Sequence, residues 1–124
     1  MGERKTKIEE YLKKALLTAR YPKISKLLDN YVVRKELGQG IKEFDWIYPF
    51  VGLVGEMGEC ANILKKVMRD SKFTIIHDTK AKLADEIGDI FWYLVVLCHE
   101  LGLDPKQILE YNIEKLKERY KIAD

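Results

Sequence analysis

Between Lys80 and Leu101 the chain carries a segment that leaves few folds open to it. Its second half, Ile90-Phe91-Trp92-Tyr93-Leu94-Val95-Val96-Leu97-Cys98, is apolar nearly all round. It contains neither glycine nor proline, so it reads as the end of a helix starting near Asp78 or Thr79 and closed by Gly102. A helix that is apolar on every side must be covered on every side. It is also far short of the roughly 18 residues a membrane span needs. In a chain of 124 residues, a bundle of four or five helices struggles to supply that cover. The expectation is an all-α bundle that assembles around this helix as a homodimer or homotetramer.

The remaining pattern agrees with a single all-α domain over 1–124. Thr6-x-x-Glu9 is a capping box opening a helix to about Arg20, which Tyr21-Pro22 stops. A shorter helix is predicted from about Ile24 to Leu37, followed by a Gly38-Gln39-Gly40 loop. A long helix starts between Asp45 and Pro49 and reaches about Arg69, with an apolar face of Leu53, Val54, Met57, Ala61, Leu64 and Met68. Asp70 to Thr79 reads as a loop. Asp104-Pro105-Lys106-Gln107 starts the last helix, which runs to about Tyr120.

Two acidic phrases interrupt this apolar frame: Gly55-Glu56-Met57-Gly58-Glu59 and Asp85-Glu86-Ile87-Gly88-Asp89. Residues three apart share a helix face, so each phrase aims two carboxylates the same way. If the two helices pack antiparallel, Glu56, Glu59, Glu86 and Asp89 converge. Two like charges at 4 Å repel by about 4 kcal/mol at an effective dielectric near 20, so such a cluster needs a counter-charge. Lysines would make it a salt-bridge network. A divalent cation would make it a metal site, with all-oxygen ligation suiting Mg²⁺ or Mn²⁺. Helical di-iron sites require Glu-x-x-His, and neither His77 nor His99 stands in that position. Gly52, Gly55 and Gly58 each cost about 1 kcal/mol relative to alanine inside a helix. Their i, i+3, i+6 spacing suggests close approach by a neighbouring helix or a ligand.

Cationic groups accompany the carboxylates. Lys82 stands one turn before Glu86, Lys66 one to two turns after Glu59, and Asn112, Lys115 and Arg119 share a face of the last helix. A metal with several such groups is equipped to grip a polyphosphate and stabilise charge as a P–O bond breaks. Taken singly, each is an ordinary solvated side chain. The net charge of +2 gives no argument for nucleic acid or an anionic membrane. The charged start has no secretory apolar segment, and its Met1-Gly2 pattern is the common minimal match for myristoylation. Cys60 and Cys98 lack a disulfide or Cys-x-x-Cys spacing and read as buried free thiols. A cytoplasmic protein is expected.

The text Tyr48-Pro49-x-x-Gly52-Leu53-x-x-Glu56-x-Gly58-Glu59, then Glu86-Ile87-Gly88-Asp89-Ile90-Phe91-Trp92-Tyr93-Leu94, then Asn112-x-x-Lys115-Leu116-x-x-Arg119-Tyr120 resembles the MazG-like all-α nucleoside triphosphate pyrophosphohydrolases. The resemblance covers about Trp46 to Tyr120, and the stretch from Ile24 to Ile41 is extra relative to compact members. It implies that Glu56, Glu59, Glu86 and Asp89 coordinate Mg²⁺ (Mn²⁺ as an alternative) and that one of them, or a metal-bound water, activates the attacking water. Lys82, Lys115 and Arg119 would hold phosphates, and Asn112 would contact sugar or phosphate. Trp46, Tyr48 and Trp92 are candidates to stack a base, against the plainer role of core or interface aromatics. The implied reaction converts an NTP or dNTP to its monophosphate and pyrophosphate in nucleotide-pool house-cleaning. Related carboxylate–metal enzymes act on dUTP, dCTP or phosphoribosyl-ATP. A non-catalytic helical binding module with a structural acidic cluster is the competing class. Family members assemble as dimers or tetramers.

Overall fold

The computed structural model describes residues 7–23, 44–70 and 75–123. Four helices follow one another: α1 (Lys7–Leu17), α2 (Ile47–Asp70), α3 (His77–Glu100) and α4 (Pro105–Tyr120). No strand occurs among the described residues. The protein is all-α, as the periodicity predicts. The helix expected from Ile24 to Leu37 lies outside the described residues.

At 24 residues each, α2 and α3 are about 36 Å long and form the dominant packed pair. They run antiparallel: Gly52 lies against Tyr93, Glu56 meets Glu86 and Asp89, and Lys66 and Val67 share a cleft with Thr79 and Lys82. Pro49 is buried in the first turn of α2, where its missing N–H has no helical partner to lose. The α3 end is a Schellman turn. Gly102, at φ +70°, donates its N–H to His99, and Leu103 donates to Cys98 at 2.8 Å. Asp104 then caps α4, accepting the Lys106 amide at 3.0 Å, with Pro105 at the first helical position.

α1 packs on α3 and α4. It stops at Leu17, three residues before the predicted end. The Thr18 hydroxyl donates to the Ala15 carbonyl at 2.8 Å and accepts the Trp92 indole N–H at 2.8 Å. That contact turns the chain so that Tyr21 stacks on Tyr48, with ring centres 5.4 Å apart, and donates its hydroxyl to Glu100. Lys23 adds an ion pair to Glu100 at 3.5 Å. Burial, the Glu100 bond and the charges of Glu100 and Asp45 hold the Tyr21 hydroxyl well above its ordinary pKa.

The buried apolar set of the described chain is small: Ala15, Val67, Val95 and Val96. The predicted apolar face of α2 is not what meets α3. The face carrying Gly52, Glu56, Ile63 and Val67 does, while Val54, Met57, Leu64 and Met68 stay exposed. In α3, only Val95 and Val96 are fully covered, and Phe91 and Ile87 are exposed. No helix among the described residues is long and apolar enough to cross a membrane.

Candidate metal and polyphosphate site

Glu56 sits on the face of α2 that crosses α3, and Glu59 follows one turn later. On α3, Glu86 and Asp89 are likewise one turn apart. The antiparallel crossing brings Glu56, Glu86 and Asp89 together: one carboxylate oxygen from each lies within 4.8 Å of the others. Glu56 Oε2 and Glu86 Oε2 are shut off from solvent and meet no hydrogen-bond donor. An ionised carboxylate only accepts, so two buried orphaned oxygens at one point need either a shared proton or a cation.

Crowding of like charges acts on the surrounding groups. Glu86 is raised above the usual carboxyl range, first by its hydrogen bond with Glu56 and then by burial, with Glu59 pulling the other way. Glu59 is raised first by the charge of Glu86. The Cys60 thiol is raised by burial and then by the charges of Glu86, Glu56 and Glu59. The groups acting on Glu59 and Glu86 are carboxyls and burial, and none is cationic. Together these carboxyls make a site of negative potential, which a cation would neutralise.

One turn along the helix pair the sign changes. Ile63, Lys66, Val67, Asp70, Thr79 and Lys82 line a cleft of about 160 Å³. Asp70 is engaged by Arg69 through two bonds of 2.7 and 2.8 Å. Neither lysine has an ion-pair partner within 4.0 Å among the described residues. Asn112, Lys115 and Arg119 stand exposed on α4, which packs against α1.

At the other end of the carboxylates lies an aromatic group. A Cβ on Gly52 would run into the Tyr93 ring, so that glycine admits the close helix approach its spacing suggested. Gly55, Gly58 and Gly88 have open space instead. Trp92 packs edge-on to Tyr93, with ring centres 5.0 Å apart, and to Tyr21 at 6.4 Å. Tyr48 stacks on Tyr21, and Trp46 meets Phe50 at 5.8 Å. Sequence reasoning passed over Tyr93 and Tyr11. Burial raises both hydroxyls, with Asp89 adding to Tyr11 and with Tyr48, Glu56 and Asp89 adding to Tyr93. Position i+4 from Asp89 was the available signal for Tyr93. Nothing local marks Tyr11, which α1 brings in from elsewhere.

The MazG-like family model matches residues 56–124, more than half of the chain. The chain belongs to the MazG-like family. The matched stretch opens on Glu56 and contains all four carboxylates, together with Lys82, Trp92, Asn112, Lys115 and Arg119. Among curated proteins, this MazG-like chain is similar to the Gene 37 protein of Mycobacterium phage L5, 38% identical over 72 residues. That alignment takes in 58% of this chain and 63% of the phage protein, so it spans less than two thirds of that relative. No solved structure matches the chain.

Proposed function

We propose that this MazG-like chain is a Mg²⁺-dependent nucleoside triphosphate pyrophosphohydrolase. The observation that carries the reading is the Glu56–Glu86–Asp89 triplet, with two of its oxygens buried and orphaned. Three carboxylates offering only oxygen fit a hard divalent cation such as Mg²⁺, with Mn²⁺ acceptable and soft metals disfavoured. Glu56, Glu86 and Asp89 would hold the ion, with Glu59 beside it. When bound, the ion supplies charge neutralisation and polarisation at phosphate oxygens.

The chain's own groups do the rest. Glu59 stands outside the tight triplet yet next to Glu86, and takes the proton as water attacks the α-phosphorus. The bond from that phosphorus to the bridging oxygen breaks, and pyrophosphate leaves with the electron pair. Lys82, with Lys66 across the cleft, offsets the charge on the leaving phosphates. Lys115 and Arg119 are assigned to phosphate and Asn112 to sugar or phosphate by likeness to the family. Tyr48, Trp46 and Trp92 are the candidate surfaces for the base. Removal of unwanted or non-standard nucleotides in the cytoplasm is the physiological role that fits.

The test is to incubate the pure protein with Mg²⁺ and a panel of NTPs and dNTPs that includes dUTP and dCTP, with phosphoribosyl-ATP alongside. Pyrophosphate released from at least one, and only with the metal, is the expected result. Background turnover on every substrate, or release of orthophosphate, overturns the reading.

A further inference from the structure

Between Thr18 and Lys23 the chain leaves α1 and crosses one end of the α2/α3 pair as a strap tied at three points. The Thr18 hydroxyl accepts the Trp92 indole N–H at 2.8 Å. Tyr21 donates its hydroxyl to Glu100, and Lys23 pairs with the same carboxylate at 3.5 Å. The Glu100 side chain is only 10% exposed, and a carboxylate so covered needs such partners. Between these ties the Tyr21 ring lies on Tyr48, with ring centres 5.4 Å apart and planes 7° from parallel.

Tyr48 is in line with the carboxylates. Tyr48, Gly52 and Glu56 stand at i, i+4 and i+8 of α2, on one helix face, and Gly52 and Glu56 both meet α3. The axial distance from Tyr48 to Glu56 is about 12 Å, a span that a nucleoside and its α-phosphate bridge. The strap runs over the same side of the pair, since Tyr11 of α1 feels the charge of Asp89. α1 itself packs mainly on α3 and α4, and the Tyr21 ring carries the strap across to α2. Near-parallel packing at this distance is how one aromatic ring stacks on another, and it is also how a nucleobase stacks on tyrosine. On that face of Tyr48, the Tyr21 ring stands where a base would stand.

We propose that Tyr21 is a built-in competitor for the nucleobase: it closes the Tyr48 stacking surface in the free protein and swings away when a nucleotide binds. The inference rests on the pyrophosphohydrolase reading, because it takes the carboxylates as the anchor of the phosphates. On binding, a base–Tyr48 stack replaces the Tyr21–Tyr48 stack, and the base must also offset the lost Tyr21–Glu100 bond. Lys23 remains to hold Glu100. A ligand with phosphates and no base gains nothing from the opening, so the strap acts on nucleotides and leaves polyphosphate alone. It lowers the apparent affinity for a nucleotide by the fraction of molecules in which the surface is closed. A base that stacks poorly does not displace the ring, which makes Tyr21 a specificity-determining residue as well.

Calorimetric titration of the full chain in Mg²⁺ tests it, with α,β-methylene analogues of ATP and dUTP as nucleotide probes and inorganic tripolyphosphate as the probe without a base. Tyr21→Ala is expected to bind at least one analogue about 10-fold more tightly than wild type and to bind tripolyphosphate with unchanged affinity. Tyr21→Phe keeps the ring and loses the Glu100 bond, so its nucleotide affinity should fall between the two. Circular dichroism checks that each variant stays helical. Should Tyr21→Ala lose its helicity, Tyr21→Leu replaces it with the same expected gain. Nucleotide affinity that does not rise in the variant while tripolyphosphate binds overturns this inference and leaves the pyrophosphohydrolase reading standing. Equal tightening of nucleotide and tripolyphosphate also overturns it. Failure of wild type and variants to bind any of the probes removes the pyrophosphohydrolase reading and this inference with it.

Discussion

Glu56 and Glu86 stand where a folded chain gains nothing from them: their Oε2 atoms are buried and lack donors. A site kept for function is often held against stability. The pH dependence follows from the raised carboxyls. With Glu59 and Glu86 above their ordinary range, the folded state binds protons more tightly than the unfolded one. Their contribution is full below the ordinary carboxyl pKa and is lost as pH rises through the raised value. A divalent ion takes the deprotonated form, so its stabilising effect grows over the same window. Melting temperatures measured across that range in chelator and in Mg²⁺ should therefore diverge as pH increases. Glu86→Gln should melt higher than wild type in chelator, lose the Mg²⁺ shift, and lose pyrophosphate release by about 100-fold or more. Curves that stay parallel would argue that the triplet is structural.

At the level of elements, the glycines of α2 separate by what lies opposite them. Gly52→Ala forces a methyl into the Tyr93 ring and should destabilise by about 1–3 kcal/mol. Gly55→Ala meets nothing within 4 Å and should stabilise by about 0.5–1 kcal/mol through helix propensity. Denaturant melts of the two variants check the opposite signs. Their even spacing hides this difference, because a sequence shows that a helix carries glycines but not which of them meets another helix. Local signals were read well: the Asp104 cap, Pro105, Gly102 and the helix bounds near 47, 70, 77 and 120 depend on neighbours within a few residues. The early end of α1 was not legible, because Thr18 is held by Trp92, which is 74 positions away. The carboxylate pairs were legible for the same local reason as the caps. Three of the four, Glu56, Glu86 and Asp89, come together through the antiparallel packing of α2 on α3.

Across the whole molecule, polar and apolar residues of the α2/α3 pair separate. Glu56, Glu86, Asp89 and Tyr93 lie where the two helices cross, while Val54, Met57, Leu64 and Met68 of α2 and Ile87 and Phe91 of α3 stay exposed. Periodicity identified Val54, Met57, Leu64 and Met68 as an apolar face, but it cannot say whether the helix that covers such a face belongs to the same chain. The cationic stripe of α4 was equally legible as a pattern, while its distance from the carboxylates was not, since that depends on how the last helix crosses α1. The central claim concerns chemistry at the triplet, and isotope transfer addresses it most directly. Hydrolysis of a nucleoside triphosphate in ¹⁸O-labelled water with Mg²⁺, read by ³¹P resonance, should place the label on the phosphorus of the nucleoside monophosphate and leave pyrophosphate unlabelled. Label in orthophosphate, label in pyrophosphate, or no turnover would contradict the account.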